Sequence, residues 1–146
     1  MKTLYIVDTN VAVKWFVPEI HQTAALRLRQ SDNELHVPEF FFLEFGNVVC
    51  KKWRRGEVTE TVMELMIEKV QNGSALKWHK EAPLFPKAFQ IANETYRSLY
   101  DCLYLSLAIA IDGQMVTADL KFYESLKTGP YANRLLWVED IPESKE

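Results

Sequence analysis

The feature that most constrains the fold of this chain is the repeated alternation of short apolar runs with longer stretches of helical periodicity. Five runs have the length and composition of buried β-strands, at residues 4–7, 35–37, 75–78, 114–117 and 135–138. Helices are predicted between most of them, at 21–29, 39–54, 60–70, 84–95, 99–111 and 121–127, with a shorter turn at 11–16. The alternation predicts an α/β fold, a three-layer α/β/α sandwich around a central, mostly parallel sheet of about five strands.

The length of the chain, 146 residues, is typical of one domain, so we expect a single domain over residues 1–146. Residues 142–146 have the composition of a polar tail. The longest apolar stretch, 103–111, is too short to cross a bilayer, and Asp8 interrupts the N-terminal apolar run before a signal-peptide core could form. We therefore predict a protein without a membrane segment, located in the cytoplasm.

The composition excludes several classes of protein. With 17 basic and 20 acidic residues the formal net charge is −3, so any contact with nucleic acid must be local rather than driven by overall charge. Cys50 and Cys102 are far apart in the sequence, and we predict that both are reduced residues of the core. The three histidines, His21, His36 and His79, lack the spacing of zinc ligands.

Four acidic side chains have sequence surroundings that predict an inward position. Asp8 and Asp119 each follow a predicted strand and so lie at the carboxyl end of a strand. Glu44 has apolar neighbours on its helix and no basic partner four residues on, and Asp101 shares a helix face with apolar residues. The structural alternatives are helix N-caps at Asp8 and Asp119, and an exposed first-turn acid at Asp101, with Ser98 as its capping residue.

These four carboxylates suggest a metal site. If the strands that carry Asp8 and Asp119 are neighbours, several carboxylates meet at one sheet edge with few cations nearby, and such groups raise one another's pKa values or bind a cation. Oxygen ligands without His or Cys fit Mg²⁺ or Mn²⁺, and the chemistry that such a site serves best is phosphodiester hydrolysis. There is no Gly-rich phosphate loop, and Ser98, Ser106 and Ser125 have no paired His, which disfavours nucleotide hydrolases and Ser-His-Asp esterases.

Four segments of the chain, at 7–11, 38–48, 100–108 and 116–119, together resemble the PIN-domain nucleases, and among these the VapC-type toxins of toxin–antitoxin pairs. Their order, their spacing and the length of the chain also match that family. The resemblance implies that Asp8, Glu44, Asp101 and Asp119 are the catalytic, metal-binding carboxylates. It also implies that Thr9, Asn10 and Thr117 are the small polar groups beside them that orient ligands.

The same resemblance implies the activity and the partners. It implies a magnesium-dependent endoribonuclease, usually a homodimer, that a small antitoxin inhibits by laying its tail across the active-site groove. One position departs from the family pattern. Many relatives carry a further acid two residues after the fourth carboxylate, where this chain has Lys121, so tight binding of a second metal ion is in question.

The predicted helix of Glu44 ends in a cluster of basic residues, which are Lys51, Lys52, Arg54 and Arg55. Lys52, Arg54 and Arg55 are candidates for guiding RNA phosphates toward the metal site. The alternative is that these cations are solvated and complement the dipole at the end of the helix. The sequence leaves both interpretations open.

Three other functions compete with RNA cleavage. A non-catalytic PIN-fold module that binds a protein partner would have no reason to keep inward-pointing acids, which cost stability. A haloacid-dehalogenase-like phosphatase with Asp8 as nucleophile expects a second Asp two positions later, where this chain has Asn10. A flap-type DNA nuclease shares the metal chemistry, and only the choice of substrate separates it from a ribonuclease.

Overall fold

The computed structural model describes residues 2–73 and 75–143, which contain one five-stranded sheet flanked by helices. The strands are β1 (Thr3–Val7), β2 (Asn33–Pro38), β3 (Leu76–His79), β4 (Gln114–Thr117) and β5 (Leu135–Trp137). All neighbouring strands are parallel, in the order β3-β2-β1-β4-β5. The predicted three-layer α/β fold with a parallel five-stranded sheet is confirmed, and the strand ends differ from the prediction by one or two residues at most.

The helices are α1 (Thr9–Val13), α2 (Gln22–Leu26), α3 (Phe41–Arg54), α4 (Glu60–Asn72), α5 (Phe85–Thr95), α6 (Leu99–Ile111) and α7 (Leu120–Leu126), with 3₁₀ helices at Arg27–Arg29, Ala132–Arg134 and Val138–Asp140. The prediction of one helix over 21–29 is wrong at both ends. His21 has a left-handed φ of 67° and precedes α2, and the last three residues are 3₁₀. The turn predicted at 11–16 is a helix that begins earlier, at Thr9.

The core forms around α6, because this helix is apolar on nearly all of its sides and is therefore buried. It packs against β1, β2 and β4, while α5 packs against α6. The hydroxyl of Ser106, inside α6, donates to the carbonyl of Leu84 (2.8 Å) and is thereby satisfied. Cys102 is buried as predicted, whereas Cys50 is exposed, so its assignment to the core is wrong. Within residues 2–73 and 75–143 no helix is both long and apolar enough to cross a membrane.

The order of the strands creates a switch point between β1 and β4. From β1 the chain moves through β2 to β3 on one side of the sheet, and it then crosses to β4 and β5 on the other side. Since β-α-β crossovers are right-handed, this reversal places helices on both faces of the sheet. In open α/β sheets ligands bind outside the carboxyl ends of the strands at such a switch point. Of the predicted polar tail, residues 144–146 lie outside the described residues.

Candidate active site

All four predicted carboxylates lie at the start of a helix. Asp8 occupies the N-cap position of α1 and Asp119 that of α7, while Glu44 and Asp101 lie in the first turns of α3 and α6. Helix N-termini carry a partial positive charge that favours carboxylates. The four side chains are close enough for the charges of Asp101, Glu44 and Asp119 each to raise the pKa of Asp8. The structure therefore brings the predicted quartet together.

Asp8 is the most deeply buried of the four, with 7% of its surface exposed. Its backbone N–H donates to the carbonyl of Val116 (3.4 Å), which ties the end of β1 to β4. The Asp8 side chain makes no capping hydrogen bond to α1, so the N-cap alternative does not explain it. Burial and the nearby charges of Asp101 and Glu44 raise the pKa of Asp8 to about 7.

Thr117 and Asp119 form the adjacent part of the site at the end of β4. The fully buried Thr117 hydroxyl donates to Asp8 Oδ2 (3.5 Å) and accepts the backbone N–H of Asp119 (3.0 Å). Asp119 Oδ1 accepts the backbone N–H of Phe122 (3.0 Å), so Asp119 does cap α7. Asp119 is only half-buried, and in the described part of the chain its Oδ2 accepts no hydrogen bond. Capping therefore uses one of its two oxygens.

Glu44 is held through one oxygen. Its Oε1 accepts from the Tyr104 hydroxyl (2.6 Å) and from the Thr9 hydroxyl (3.2 Å), and these two hydroxyls are 3.0 Å apart. Burial raises the pKa of Glu44, the hydrogen bonds from Tyr104 and Thr9 act in the opposite direction, and the charge of Asp101 raises it further. Burial, together with the charges of Asp8 and Glu44, raises the pKa of Tyr104 far above its usual value, so its hydroxyl remains a donor.

Asp101 completes the quartet from α6. Ser98 accepts the backbone N–H of Asp101 (3.1 Å) and caps the helix, as its position in the sequence predicts. Burial raises the pKa of the half-buried Asp101 carboxyl; the hydrogen bond with Ser98 lowers it, the charge of Asp119 raises it, and the charge of Arg97 lowers it. Among the described residues none of the four carboxylates forms an ion pair with Lys, Arg or His.

The remaining predicted site residues are Asn10 and the three basic residues at the end of α3. Asn10 is exposed, and the described structure shows no hydrogen bond from its side chain. Lys52 pairs with Glu19 (3.1 Å) and lies 3.7 Å from Glu57. Arg54 and Arg55 are exposed at the end of α3 and form no ion pair within the described residues. Of the three basic residues predicted to bind RNA, the two arginines are therefore the ones whose charge is not paired with a carboxylate among the described residues.

Tyr104 is the residue that reasoning from sequence missed. It lies three residues after Asp101 on the same helix, in a stretch that is otherwise almost entirely apolar. Residues three apart share a helix face. A phenolic hydroxyl on the same helix face as a candidate ligand was the available signal.

The residues fit a hard divalent cation by their chemistry. The quartet offers oxygen ligands alone, and burial together with the neighbouring carboxylates raises the pKa of Asp8. In the described part of the chain no group of three or more His, Cys, Asp or Glu side chains is arranged so that all of them could hold one metal ion together. Mg²⁺ keeps several waters and takes only one or two carboxylates directly, so it does not require a closed cage of protein ligands.

Comparison with known proteins agrees with the geometry. The family model for the PIN domain matches residues 5–125, a span that contains all four carboxylates. The chain belongs to the PIN-domain family. It is 31% identical over 120 residues to Ribonuclease VapC3 from Pyrobaculum aerophilum, which covers 82% of this chain and 92% of that protein.

Solved structures of other proteins share the fold. The crystal structure of PAE2754 from Pyrobaculum aerophilum has a TM-score of 0.67 at 20% identity and covers 94% of this chain and 85% of its own. A toxin-antitoxin complex from Klebsiella pneumoniae has a TM-score of 0.64 at 13% identity, with coverage of 96% and 99%. The predicted resemblance to PIN-domain proteins is confirmed.

Proposed function

We propose that this chain is a divalent-metal-dependent endoribonuclease that hydrolyses RNA phosphodiester bonds and acts as the toxin of a toxin–antitoxin pair. The observation that carries the proposal is the cluster of four carboxylates at the switch point, which has a raised pKa at Asp8 and no ion pair among the described residues. The similarity to a protein named as a ribonuclease supports RNA as the substrate. We place its action in the cytoplasm, as expected from the sequence.

In this proposal Asp8, Glu44, Asp101 and Asp119 hold Mg²⁺ or Mn²⁺. A bound divalent ion would supply charge neutralisation for the phosphate and would lower the pKa of an attacking water. Asp8 accepts a long hydrogen bond from Thr117 (3.5 Å) and Glu44 accepts bonds from two hydroxyls, so these two carboxylates are oriented before any substrate binds. Preorganised groups of this kind avoid the cost of reorganisation during the reaction.

The proposal is tested with purified protein, a panel of RNAs and either Mg²⁺ or Mn²⁺. We expect Asp101→Asn to abolish cleavage while the protein stays folded, because the change removes a ligand and also relieves repulsion between like charges. Asp32→Asn is the matched control. This exposed carboxylate directly precedes β2, at the amino ends of the strands and opposite the site, so its replacement should leave the activity unchanged. Full activity of Asp101→Asn, or of the wild type in EDTA, would refute the metal mechanism.

The same assay separates the alternative functions. Cleavage of a branched or flapped DNA in preference to all RNAs would identify a flap-type DNA nuclease. If neither RNA nor DNA is cleaved with either metal, and the wild type and Asp101→Asn behave alike, a non-catalytic interaction module is the better description.

We propose that an antitoxin inhibits the site with a positively charged side chain. A guanidinium can bind carboxylates in a bidentate geometry, and the quartet has no cation of its own among the described ion pairs. An apolar cleft between α3 and α4, of about 700 Å³ and lined in part by Leu43, Met63 and Ile67, offers a surface for an apolar partner segment. The resemblance between the fold of this chain and that of a toxin-antitoxin complex supports this regulation.

Arginine amide is a simple probe for this inhibition, with lysine amide at equal ionic strength as its control. We expect arginine amide to inhibit cleavage more strongly, and rising Mn²⁺ to reverse the inhibition, because both ligands compete for the same carboxylates. Inhibition that is identical for the two amides, and independent of Mn²⁺, would show that binding of a guanidinium to the quartet is not the cause.

We also propose a homodimer. The stacked rings of Phe85 and Phe89 on α5, with centroids 5.5 Å apart, are 45% and 52% exposed, and exposed aromatic pairs are typical of interfaces. Sedimentation should give twice the monomer mass for the wild type, and Phe89→Ser should shift the species toward the monomer. A wild type that sediments as a monomer at high micromolar concentration would refute the dimer.

A further inference from the structure

Tyr104 joins three parts of the chain that are distant in sequence. Its hydroxyl, on α6, contacts Glu44 at the start of α3 and Thr9 at the start of α1, across sequence separations of 60 and 95 residues. The side chain is 1% exposed, and its ring packs against Phe40 with centroids 5.2 Å apart. The hydroxyl therefore has a fixed position from which it can orient other groups but cannot reach RNA.

The two carboxylate oxygens of Glu44 differ in their hydrogen bonds. Both hydroxyls that reach this carboxylate, from Tyr104 and Thr9, bond to Oε1. Among the described residues Oε2 accepts no hydrogen bond, and no buried polar side-chain atom there is left without a partner, so Oε2 is open to solvent. One oxygen is held by the protein and the other is free for an external ligand.

We infer that Tyr104 is a positioning residue, which holds Oε1 of Glu44 so that Oε2 is the oxygen offered to the divalent ion. The inference rests on the proposed function and adds a residue outside the quartet to it. Carboxylate ligands of metal ions are usually held by hydrogen bonds from surrounding groups, and the loss of such a group typically reduces metal affinity or activity 10–100-fold. The short bond from Tyr104, at 2.6 Å, is the stronger of the two restraints, and the bond from Thr9, at 3.2 Å, is the weaker.

The test is the binding of Mn²⁺ to the purified protein without RNA, measured by titration calorimetry. Tyr104→Phe removes the hydroxyl and keeps the ring, and we expect it to raise the Kd for Mn²⁺ about 10-fold or more. Tyr131→Phe is the matched control, because Tyr131 makes the same 2.6 Å bond to a glutamate, Glu94, outside the site. We expect this control to bind Mn²⁺ as the wild type does.

Kinetics and a double variant distinguish positioning from a merely structural role. In Tyr104→Phe we expect kcat to fall at limiting Mn²⁺ and to recover as Mn²⁺ rises, with KM for RNA unchanged, since the side chain is too buried to touch RNA. Adding Tyr104→Phe to Glu44→Gln should cause no further loss, because Tyr104 acts through Glu44. A second variant, Thr9→Val, removes the weaker restraint and should raise the Kd for Mn²⁺ by a smaller factor.

The outcomes separate this inference from the proposed function. If Glu44→Gln binds Mn²⁺ as the wild type does, the assignment of Glu44 as a ligand fails, and the inference fails with it. If Glu44→Gln loses Mn²⁺ binding while Tyr104→Phe keeps it, only the inference is overturned. A loss of activity in Tyr104→Phe that excess Mn²⁺ does not restore, together with a lowered melting temperature, would assign Tyr104 a structural role.

Discussion

The Thr117 hydroxyl at the end of β4 lies 3.5 Å from Asp8 Oδ2 at the end of β1, across the switch point of the sheet. Thr117 is fully buried and also accepts the Asp119 backbone N–H (3.0 Å), so one hydroxyl links two members of the carboxylate quartet. The link depends on the pairing of β1 with β4, because these strands are more than 100 residues apart in the sequence. The contact of the Asp8 carboxylate with Thr117 therefore exists only in the folded sheet.

The raised pKa of Asp8 predicts a specific pH dependence of stability. Because the pKa of Asp8 in the folded protein, about 7, lies above the usual aspartate pKa of 3.8, the folded state binds more protons than the unfolded state between these values. The contribution of Asp8 to stability therefore falls as pH rises from about 4 to about 7. In the metal-free protein we expect Asp8→Asn to be more stable than the wild type at pH 8, by about 2–4 kcal/mol, and to lose this advantage near pH 4.

Urea unfolding of both proteins in EDTA, at a series of pH values, measures this difference. Asp32→Asn, an exposed acid, should follow the wild type throughout. An advantage of Asp8→Asn that stays constant from pH 4 to pH 8 would contradict the raised pKa.

Metal binding should stabilise the folded protein. A ligand at 100 times its Kd that binds only the folded state adds about 2.7 kcal/mol. For a chain of this size that corresponds to a rise in Tm of about 5–10 °C on addition of Mn²⁺. The rise should disappear in Asp101→Asn, because that change removes a ligand; an equal rise in both proteins would place the bound ion elsewhere.

The basic end of α3 should contribute to RNA binding through its arginines. Each phosphate contact on a single strand adds about 0.7 to the slope of log K against log salt. We expect the double variant Arg54→Ala, Arg55→Ala to bind RNA more weakly and to lower that slope by about 1.4, because both guanidinium groups are exposed. Lys52→Ala should change the slope less, since Lys52 is paired with Glu19. An unchanged slope in the arginine variant would assign these side chains to the solvated surface.

Glu19 links two lysines and should matter for stability. Its Oε1 binds Lys14 (3.0 Å) and its Oε2 binds Lys52 (3.1 Å), and Lys14 is 7% exposed. Burial acts to raise the pKa of Glu19, but the hydrogen bonds and charges of the two lysines outweigh burial and lower it. We expect Glu19→Gln to destabilise the protein by about 1–2 kcal/mol at pH 7, because it leaves a nearly buried ammonium without its counter-ion.

The pH dependence of that effect has a defined sign. A carboxyl with a lowered folded pKa stabilises the protein above its unfolded pKa, and the contribution is lost as pH falls through the folded value. The cost of Glu19→Gln, measured by urea unfolding, should therefore shrink below about pH 4. Glu57→Gln is the control: Glu57 is exposed and lies 3.7 Å from Lys52, so its loss should cost little. Equal costs for the two variants would contradict the special position of Glu19.

The sequence by itself determined the elements and the positions of the carboxylates relative to them. Strand and helix periodicity are local properties, so the five strands and the residues that follow them could be identified without knowledge of the fold. The placement of Asp8 and Asp119 at strand ends follows from the same local pattern. Two statements stay predictions: that residues 1–146 form one domain, and that the four carboxylates are catalytic.

Only the tertiary structure decided which of these positions meet and how each is held. The order of the strands makes β1 and β4 neighbours, and no local pattern specifies that order, because it depends on the packing of all the helices on both faces of the sheet. The contacts of Tyr104 with Glu44 and of Lys52 with Glu19 span 60 and 33 residues, and hydrogen bonds at such separations leave no periodic signal in the sequence. Periodicity likewise did not predict that Cys50 is exposed, because burial at the edge of a helix face depends on which elements pack against that face.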